Sequence, residues 1–271
     1  MITEKAAAII ERVREENPLV HCITNYITIN DCANILLSAG ASPAMCDALD
    51  EAYDFARISS ALYINFGTYI KEQEAAAMAA ALGAKSAGRP IVIDPVGCAA
   101  IPRRIGILDR LHELAGVSII KGNMGEIMAL AGKKAEVKGV DSDGAVPGIE
   151  ETAAETAKKY GCVVAATGKI DVISDGRRTA RVSNGVPMLT KITGSGCMTG
   201  ALCAAAAAMA RDGDEMFAAA AAAVSLMGIA GEKAAVKANL PGSFRTALID
   251  AVYGITGKIL RGMGRIECEE M

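Results

Sequence analysis

The chain lacks a C-x-x-C pair, and none of its eight cysteines (22, 32, 46, 98, 162, 197, 203 and 268) clusters with histidine at zinc-binding spacing. That excludes a zinc module and argues against a disulfide framework in a chain of 271 residues. Most of these cysteines read as small buried hydrophobes in a reducing compartment. No basic excess is present: 28 Lys and Arg face 31 Asp and Glu, a net charge of −3. A nucleic-acid binder would show a basic stripe, and none is visible. The N-terminal "MITEKAAAIIERVREENP" is charged and amphipathic, without the apolar h-region of a signal peptide. No run of about 18 apolar residues announces a membrane span, so a cytoplasmic protein is expected. Internal repeats and an obvious linker are missing as well, which removes solenoids and propellers and predicts one domain over residues 1–271.

What is present is apolar residues at 52% against 22% charged, slightly richer than an average soluble domain and a hint of an oligomer. Short apolar runs, "PLVHCIT", "ALYINFG", "PIVIDPV", "VSIIKGN" and "CVVAATG", read as buried strands, each bounded near Gly, Pro or Asn. Helical patterns over residues 30–39, 71–87, 101–115 and 148–160 alternate with them. That alternation predicts an α/β fold with a largely parallel sheet covered on both faces. After residue 162, "CVVAATG", "DVISDG" and "TARVSNG" follow one another too closely for crossover helices. They should pair antiparallel and make one edge of the sheet mixed. From Cys197 onward the reading is helical, because Ala204–Ala208 and Ala218–Ala223 are strong helix formers. A last helix is expected from Pro241 to near Gly262, followed by a solvated "ECEEM" tail.

In open α/β sheets, ligands bind beyond the carboxyl ends of the parallel strands. The polar residues there are Asn25, Asn65 with Gly67, Asp94, Asn123 with Glu126, and Thr167 with Gly168. Asp94 and Glu126 can face one crevice and hold Mg²⁺, a hard cation that takes one or two carboxylates plus phosphates. They can equally be an Asp-Pro turn and a helix-start acid favoured by the dipole. The stretch "TGSGCMTG", residues 193–200, places Gly194, Ser195 and Gly196 where backbone N–H groups and a helix dipole would hold an anion. The alternative is a turn chosen for its backbone angles alone. No Gly-Lys-Ser/Thr follows, so this is not a Walker A loop. The first βα turn reads "TNYITIN" rather than G-x-G-x-x-G, which argues against a dehydrogenase. His21 reads as a structural histidine, His112 as a surface one, and Met45 as core or as a soft contact for a sulfur-containing ring.

A β-rich hairpin region followed by a Gly-rich turn with a reactive residue at a helix start resembles the ribokinase-like superfamily. The fold implied is a three-layer sandwich whose mostly parallel sheet has an antiparallel edge. Cysteine in place of the usual aspartate, together with "HCITNYITINDCANILLSAGASPAM", "IDPVG" and "GNMGE", is similar to hydroxyethylthiazole kinase of thiamin salvage, over nearly the whole chain. The resemblance implies ATP- and Mg²⁺-dependent phosphorylation of the primary alcohol of 4-methyl-5-(2-hydroxyethyl)thiazole by a homotrimer with sites between subunits. It makes Cys197 the residue beside the alcohol, Met45, Gly194 and Asn25 thiazole contacts, Lys121 and Thr167 nucleotide contacts, and Asp94 and Glu126 the magnesium side. The family often has Arg where this chain has Lys121, a point charge without a two-pronged grip. The chain also shows "CAAIPRR" after "DPVG", where Gly-Ala-Thr is common, and "GSGC" for "GTGC". Rival readings are a related kinase of a hydroxymethyl pyrimidine or pyridoxal, and a non-catalytic nucleotide or thiazole sensor.

A cysteine can serve here because phosphoryl transfer has a loose transition state and asks little of a base. A helix N-terminus can lower a thiol pKa toward neutrality, while nearby phosphates oppose the thiolate.

Overall fold

A computed structural model of the chain describes residues 1–133 and 147–270. Nine strands form one sheet: β1 (Leu19–Ile23), β2 (Ser42–Ala44), β3 (Ala61–Asn65), β4 (Ile91–Asp94), β5 (Ile119–Asn123), β6 (Val163–Thr167), β7 (Asp171–Ser174), β8 (Arg178–Val182) and β9 (Ile266–Glu270). Their spatial order is β2-β1-β3-β4-β5-β6-β7-β8-β9. Pairing is parallel from β2 to β6 and antiparallel from β6 to β9. The expected mixed sheet with an antiparallel edge is therefore present.

The central strands β1, β3 and β4 are largely apolar because both faces are covered, and alternate residues serve alternate cores. In β3, Ala61 and Tyr63 join one core while Leu62 and Ile64 join the other. The first core packs against α1 (Ile2–Glu16), α2 (Ile29–Ala39), α8 (Ser195–Ala208), α9 (Gly213–Lys237), α10 (Pro241–Gly254) and α11 (Gly257–Met263). The second packs against α3 (Leu49–Ile58), α4 (Lys71–Ser86), α5 (Arg103–Ala115), α6 (Met124–Leu130) and α7 (Ile149–Tyr160). Three layers result. Among the described helices only α9 is long and apolar enough to cross a bilayer, and 78% of its most apolar window is buried inside the protein. Its alanine run lets it pack closely against α8, α1 and α10, so it is apolar all round because it is a core helix.

Two expectations for the C-terminus need correction. The last helix is two helices, because Ile255 adopts an extended conformation and Thr256 caps α11 by accepting from the Ile259 N–H. Arg14 stabilises the break by donating to the carbonyls of Val252, Tyr253 and Ile255 at the helix end. The acidic tail is a strand, β9, paired with β8 from Arg178↔Glu270 to Val182↔Ile266. Its glutamates remain exposed, and Arg181 holds Glu269 at 3.2 Å. The short strand β2 and helix α3 had no clear signature in the sequence.

Candidate active site

Parallel strands in register bring their polar ends to one edge of the sheet: Asn65 pairs with Asp94, and Asn123 with Thr167. The start of α8 faces this edge. Gly194, in the left-handed region at φ 87°, turns the chain into the helix, and Ser195, Gly196 and Cys197 form its first turn. A Cβ on Gly194 would lie 2.8 Å from Thr28 Cγ2, and one on Gly196 would lie 3.0 Å from Lys121 Nζ. Glycine is thus required by conformation at Gly194, while at Gly196 a Cβ would press on the Lys121 ammonium. A cavity of about 1730 Å³ opens here, lined among others by Asp94, Lys121, Glu126, Thr167, Gly194, Ser195, Gly196 and Cys197.

Asp94 and Lys121 form a buried ion pair, Nζ to Oδ2 3.3 Å. Burial pushes the Asp94 carboxyl up to about 6, against the pull of Lys121 and with the help of Glu126. Lys121 loses stability as a cation through burial, but Asp94 and Glu126 more than restore it and its pKa is raised. Tyr63 reaches the same aspartate, its hydroxyl 3.3 Å from Asp94 Oδ2 and 3.0 Å from the Cys197 carbonyl oxygen. Asp94 Oδ1 is buried without a partner. Glu126 is the third residue of α6, and its Oε2 and Oε1 accept from the N–H groups of Asn123 at 2.8 Å and Gly97 at 2.7 Å. Asn123 returns a cap to the Glu126 N–H, completing a capping box. The two carboxylates with one orphaned oxygen suit a hard cation that keeps waters and shares phosphate oxygens. Among the described residues no group of three or more His, Cys, Asp or Glu is arranged to hold a metal by side chains alone.

Cys197 is half-buried, and its sulfur receives N–H donors from Asn65 at 3.3 Å and Asn25 at 3.4 Å. Its pKa is nevertheless raised, first by burial and then by the Asp94 charge; Thr28, Lys121 and Asn25 only partly offset this. A helix start can lower a thiol pKa, but here removal from water outweighs it. Thr167 caps the β6 end, its hydroxyl 3.2 Å from the Gly122 carbonyl oxygen. Asn25 contacts Cys197 from the end of β1. Met45 lies just past β2, partly buried against the first core. His21 is buried with Nε2 2.7 Å from the Cys46 carbonyl oxygen, a structural role that holds the loop next to Met45. His112 is not a free surface residue: it is half-buried and stacked edge-on to Tyr160, with ring centroids 5.3 Å apart.

Sequence reading noted Asn65 as a polar strand end but gave it no role, and it missed Tyr63 and Thr28. Tyr63 lies inside an apolar run and gives no signal of its own. Thr28 is one of several hydroxyl residues in its loop, and only the fold selects it.

The model of the hydroxyethylthiazole kinase family matches residues 10–258. Hydroxyethylthiazole kinase 2 of Clostridium botulinum (strain Loch Maree / Type A3) is 55% identical over 259 residues, 96% of this chain and 97% of that protein. The solved structure of a hydroxyethylthiazole kinase protein from Pyrococcus horikoshii OT3 superposes with a TM-score of 0.88 at 36% identity, covering 98% of this chain and 99% of that one. A ribokinase-like superfamily protein from Enterococcus faecalis V583 shares the fold at a TM-score of 0.60 and 12% identity, over 88% of this chain and 87% of that one. With its sheet, its glycine cradle and a match over most of its length, the chain belongs to the hydroxyethylthiazole kinase family.

Proposed function

We propose that this chain transfers the γ-phosphoryl group of ATP to the primary alcohol of 4-methyl-5-(2-hydroxyethyl)thiazole, as a salvage step toward thiamin. The observation that carries this reading, beside family membership, is the Gly194–Gly196 turn at the start of a 14-residue helix, with Lys121 against it and the Cys197 thiol next in the chain. Backbone N–H groups, the helix dipole and one ammonium make a cradle for a phosphoryl group in flight. The cavity exceeds the range of about 300–1,000 Å³ typical of single-ligand pockets and leaves room for two substrates.

In this reading Gly194, Ser195 and Gly196 receive the transferring group and Lys121 neutralises charge on its oxygens. Thr167 lies on the nucleotide side, while Met45, Gly194 and Asn25 serve the thiazole. Asp94, through its unpartnered Oδ1, and Glu126 beside it would hold Mg²⁺. When bound, the ion would neutralise phosphate charge as the P–O bond to ADP loosens. The alcohol oxygen attacks the γ-phosphorus, ADP departs, and the hydroxyl proton passes late to or along Cys197. Because the transition state is loose, alignment of the alcohol supplies more of the acceleration than basicity, which suits a thiol with a raised pKa.

The Asn25 loop leaves Tyr26 and Ile27 exposed, at 70% and 57% of their surface. A homotrimer in which a neighbouring subunit covers them would close the thiazole side of the site. Eight free thiols fit a cytoplasmic enzyme, and the slight negative charge fits small-molecule partners rather than nucleic acid.

The test is ADP release by the purified protein with ATP and Mg²⁺, given the hydroxyethylthiazole, a hydroxymethylpyrimidine, pyridoxal or ribose, each alone. Release with the thiazole alone is expected. Release with another alcohol moves the substrate assignment, and nucleotide binding without release to any of the four supports a sensor.

A further inference from the structure

Two side-chain amides whose orientations are forced, together with the Thr28 hydroxyl, surround the Cys197 sulfur. Asn65 is buried, and its Oδ1 accepts from the Gly67 N–H at 2.9 Å and from Asn25 Nδ2 at 2.9 Å. Both acceptor sites of that oxygen are then used. Its Nδ2 has two protons and two partners, the Tyr63 hydroxyl at 2.9 Å and Cys197 Sγ at 3.3 Å. Turning the amide over would set an NH₂ against the Gly67 N–H, donor against donor. Asn25 is fixed in the same manner, because its Oδ1 accepts from the Thr28 N–H at 3.1 Å. Its Nδ2 therefore also faces Asn65 Oδ1 and the sulfur.

Both amides thus present N–H groups to Cys197 Sγ, and neither offers it an acceptor. The amides give a sulfur proton no acceptor, which leaves it the Thr28 hydroxyl or the cavity that Cys197 lines. We infer that Asn65 is a positioning residue for phosphoryl transfer: with Asn25 it holds the Cys197 sulfur as a hydrogen-bond acceptor at the cavity wall, beside the place of the substrate hydroxyl. Asn65 is the pivot of the pair, since it binds Asn25, the sulfur and Tyr63 at once. The inference rests on the kinase reading for its consequence in turnover, and on geometry alone for its effect on the thiol.

Two variants test it. Asn65→Asp keeps the shape and the oxygen that accepts from Asn25 and Gly67, but replaces the donor that faces the sulfur; Asn65→Ala removes the whole amide. Each is compared with the wild type at pH 8 by thermal unfolding, by steady-state kinetics with the thiazole alcohol, and by the rate at which iodoacetamide alkylates Cys197, followed by peptide mass spectrometry. Both variants, assayed below their unfolding transitions, should be alkylated about three- to tenfold more slowly, and the slower of the two is Asn65→Asp, which adds a buried charge beside the sulfur. Its kcat should fall about ten- to a hundredfold while KM for the alcohol changes less than about threefold.

A purely architectural Asn65 predicts slower alkylation in Asn65→Asp alone, through its charge, with Asn65→Ala alkylated at the wild-type rate, and that result overturns the inference. So does a kcat loss with alkylation unchanged, or the converse. If the wild type fails to phosphorylate the thiazole, the kinase reading fails by itself, and alkylation still reports whether Asn65 holds the sulfur.

Discussion

Lys121 Nζ lies 3.3 Å from Asp94 Oδ2, and both side chains are almost wholly removed from solvent. Neither charge would be tolerable alone at that depth. Removing one partner of a buried pair typically costs about 3–5 kcal/mol, because the other is left uncompensated. Lys121→Met, which strands the carboxylate until it takes up a proton, is therefore expected to destabilise in urea unfolding at pH 8. Asp94→Asn should cost less, because burial holds the Asp94 carboxyl at about 6 and the fold already favours its neutral form. An Asp94→Asn variant less stable than Lys121→Met would show that the carboxylate is what holds the lysine charge at this depth.

The same pair sets the acid limb of the pH profile. With its carboxyl pushed up to about 6, Asp94 becomes protonated while most acids are still ionised. In the proposed role Asp94 would hold Mg²⁺ as a carboxylate, so kcat/KM should fall about tenfold per pH unit below about 6. The stability sign is opposite. A folded-state pKa above the ordinary carboxyl value of 3.8 means that the folded chain holds this proton more tightly. Between pH 6 and 4 the wild type should therefore gain stability relative to Asp94→Asn as activity disappears. A flat kcat/KM from pH 7 to 5 would detach Asp94 from the chemistry.

Gly194 and Gly106 make a paired prediction about glycine. At Gly194 a Cβ meets Thr28 at 2.8 Å in a backbone with φ 87°, so Gly194→Ala should destabilise by more than about 1 kcal/mol and distort the cradle. Its kcat/KM should drop at least about tenfold. Gly106 lies within α5, and a Cβ there meets nothing within 4 Å. Gly106→Ala should stabilise by about 0.5–1 kcal/mol with unchanged kinetics. Calorimetry of the two variants reads both signs.

How far the sequence revealed this site follows from what each residue's signal depends on. Asp94, Asn65 and Thr167 interrupt apolar runs at strand ends, and the parallel alternation puts such ends on one edge; Gly194–Gly196 announces itself by composition. These depend on local pattern alone. The raised Cys197 pKa could not be read, because it is set by burial and by Asp94, about a hundred residues away in sequence. Strand β9 was hidden by its charge: as an edge strand it buries little, so its glutamates look like a tail. The helix break at Ile255 depends on Arg14, at the opposite end of the chain.

That edge strand should nonetheless matter. β9 covers the full length of β8, and without it the N–H and C=O groups of Arg178–Val182 would face solvent as an open template for other chains. Ending the chain after Arg265 removes the strand but keeps the backbone contact of Arg265 with Asn184, whose Oδ1 accepts its N–H at 2.8 Å. The truncated protein should unfold at a lower temperature and aggregate faster on warming. Its KM for ATP should change little, because Asn184 and Gly185 of the cavity wall remain fixed by Glu232, which accepts from the Gly185 N–H at 2.8 Å. Glu232→Gln should do the reverse, raising KM for ATP about threefold or more with β9 intact. Light scattering on heating and ATP-dependent kinetics of both variants separate the two roles; a truncation that leaves aggregation unchanged would make β9 an ornament of the fold rather than its guard.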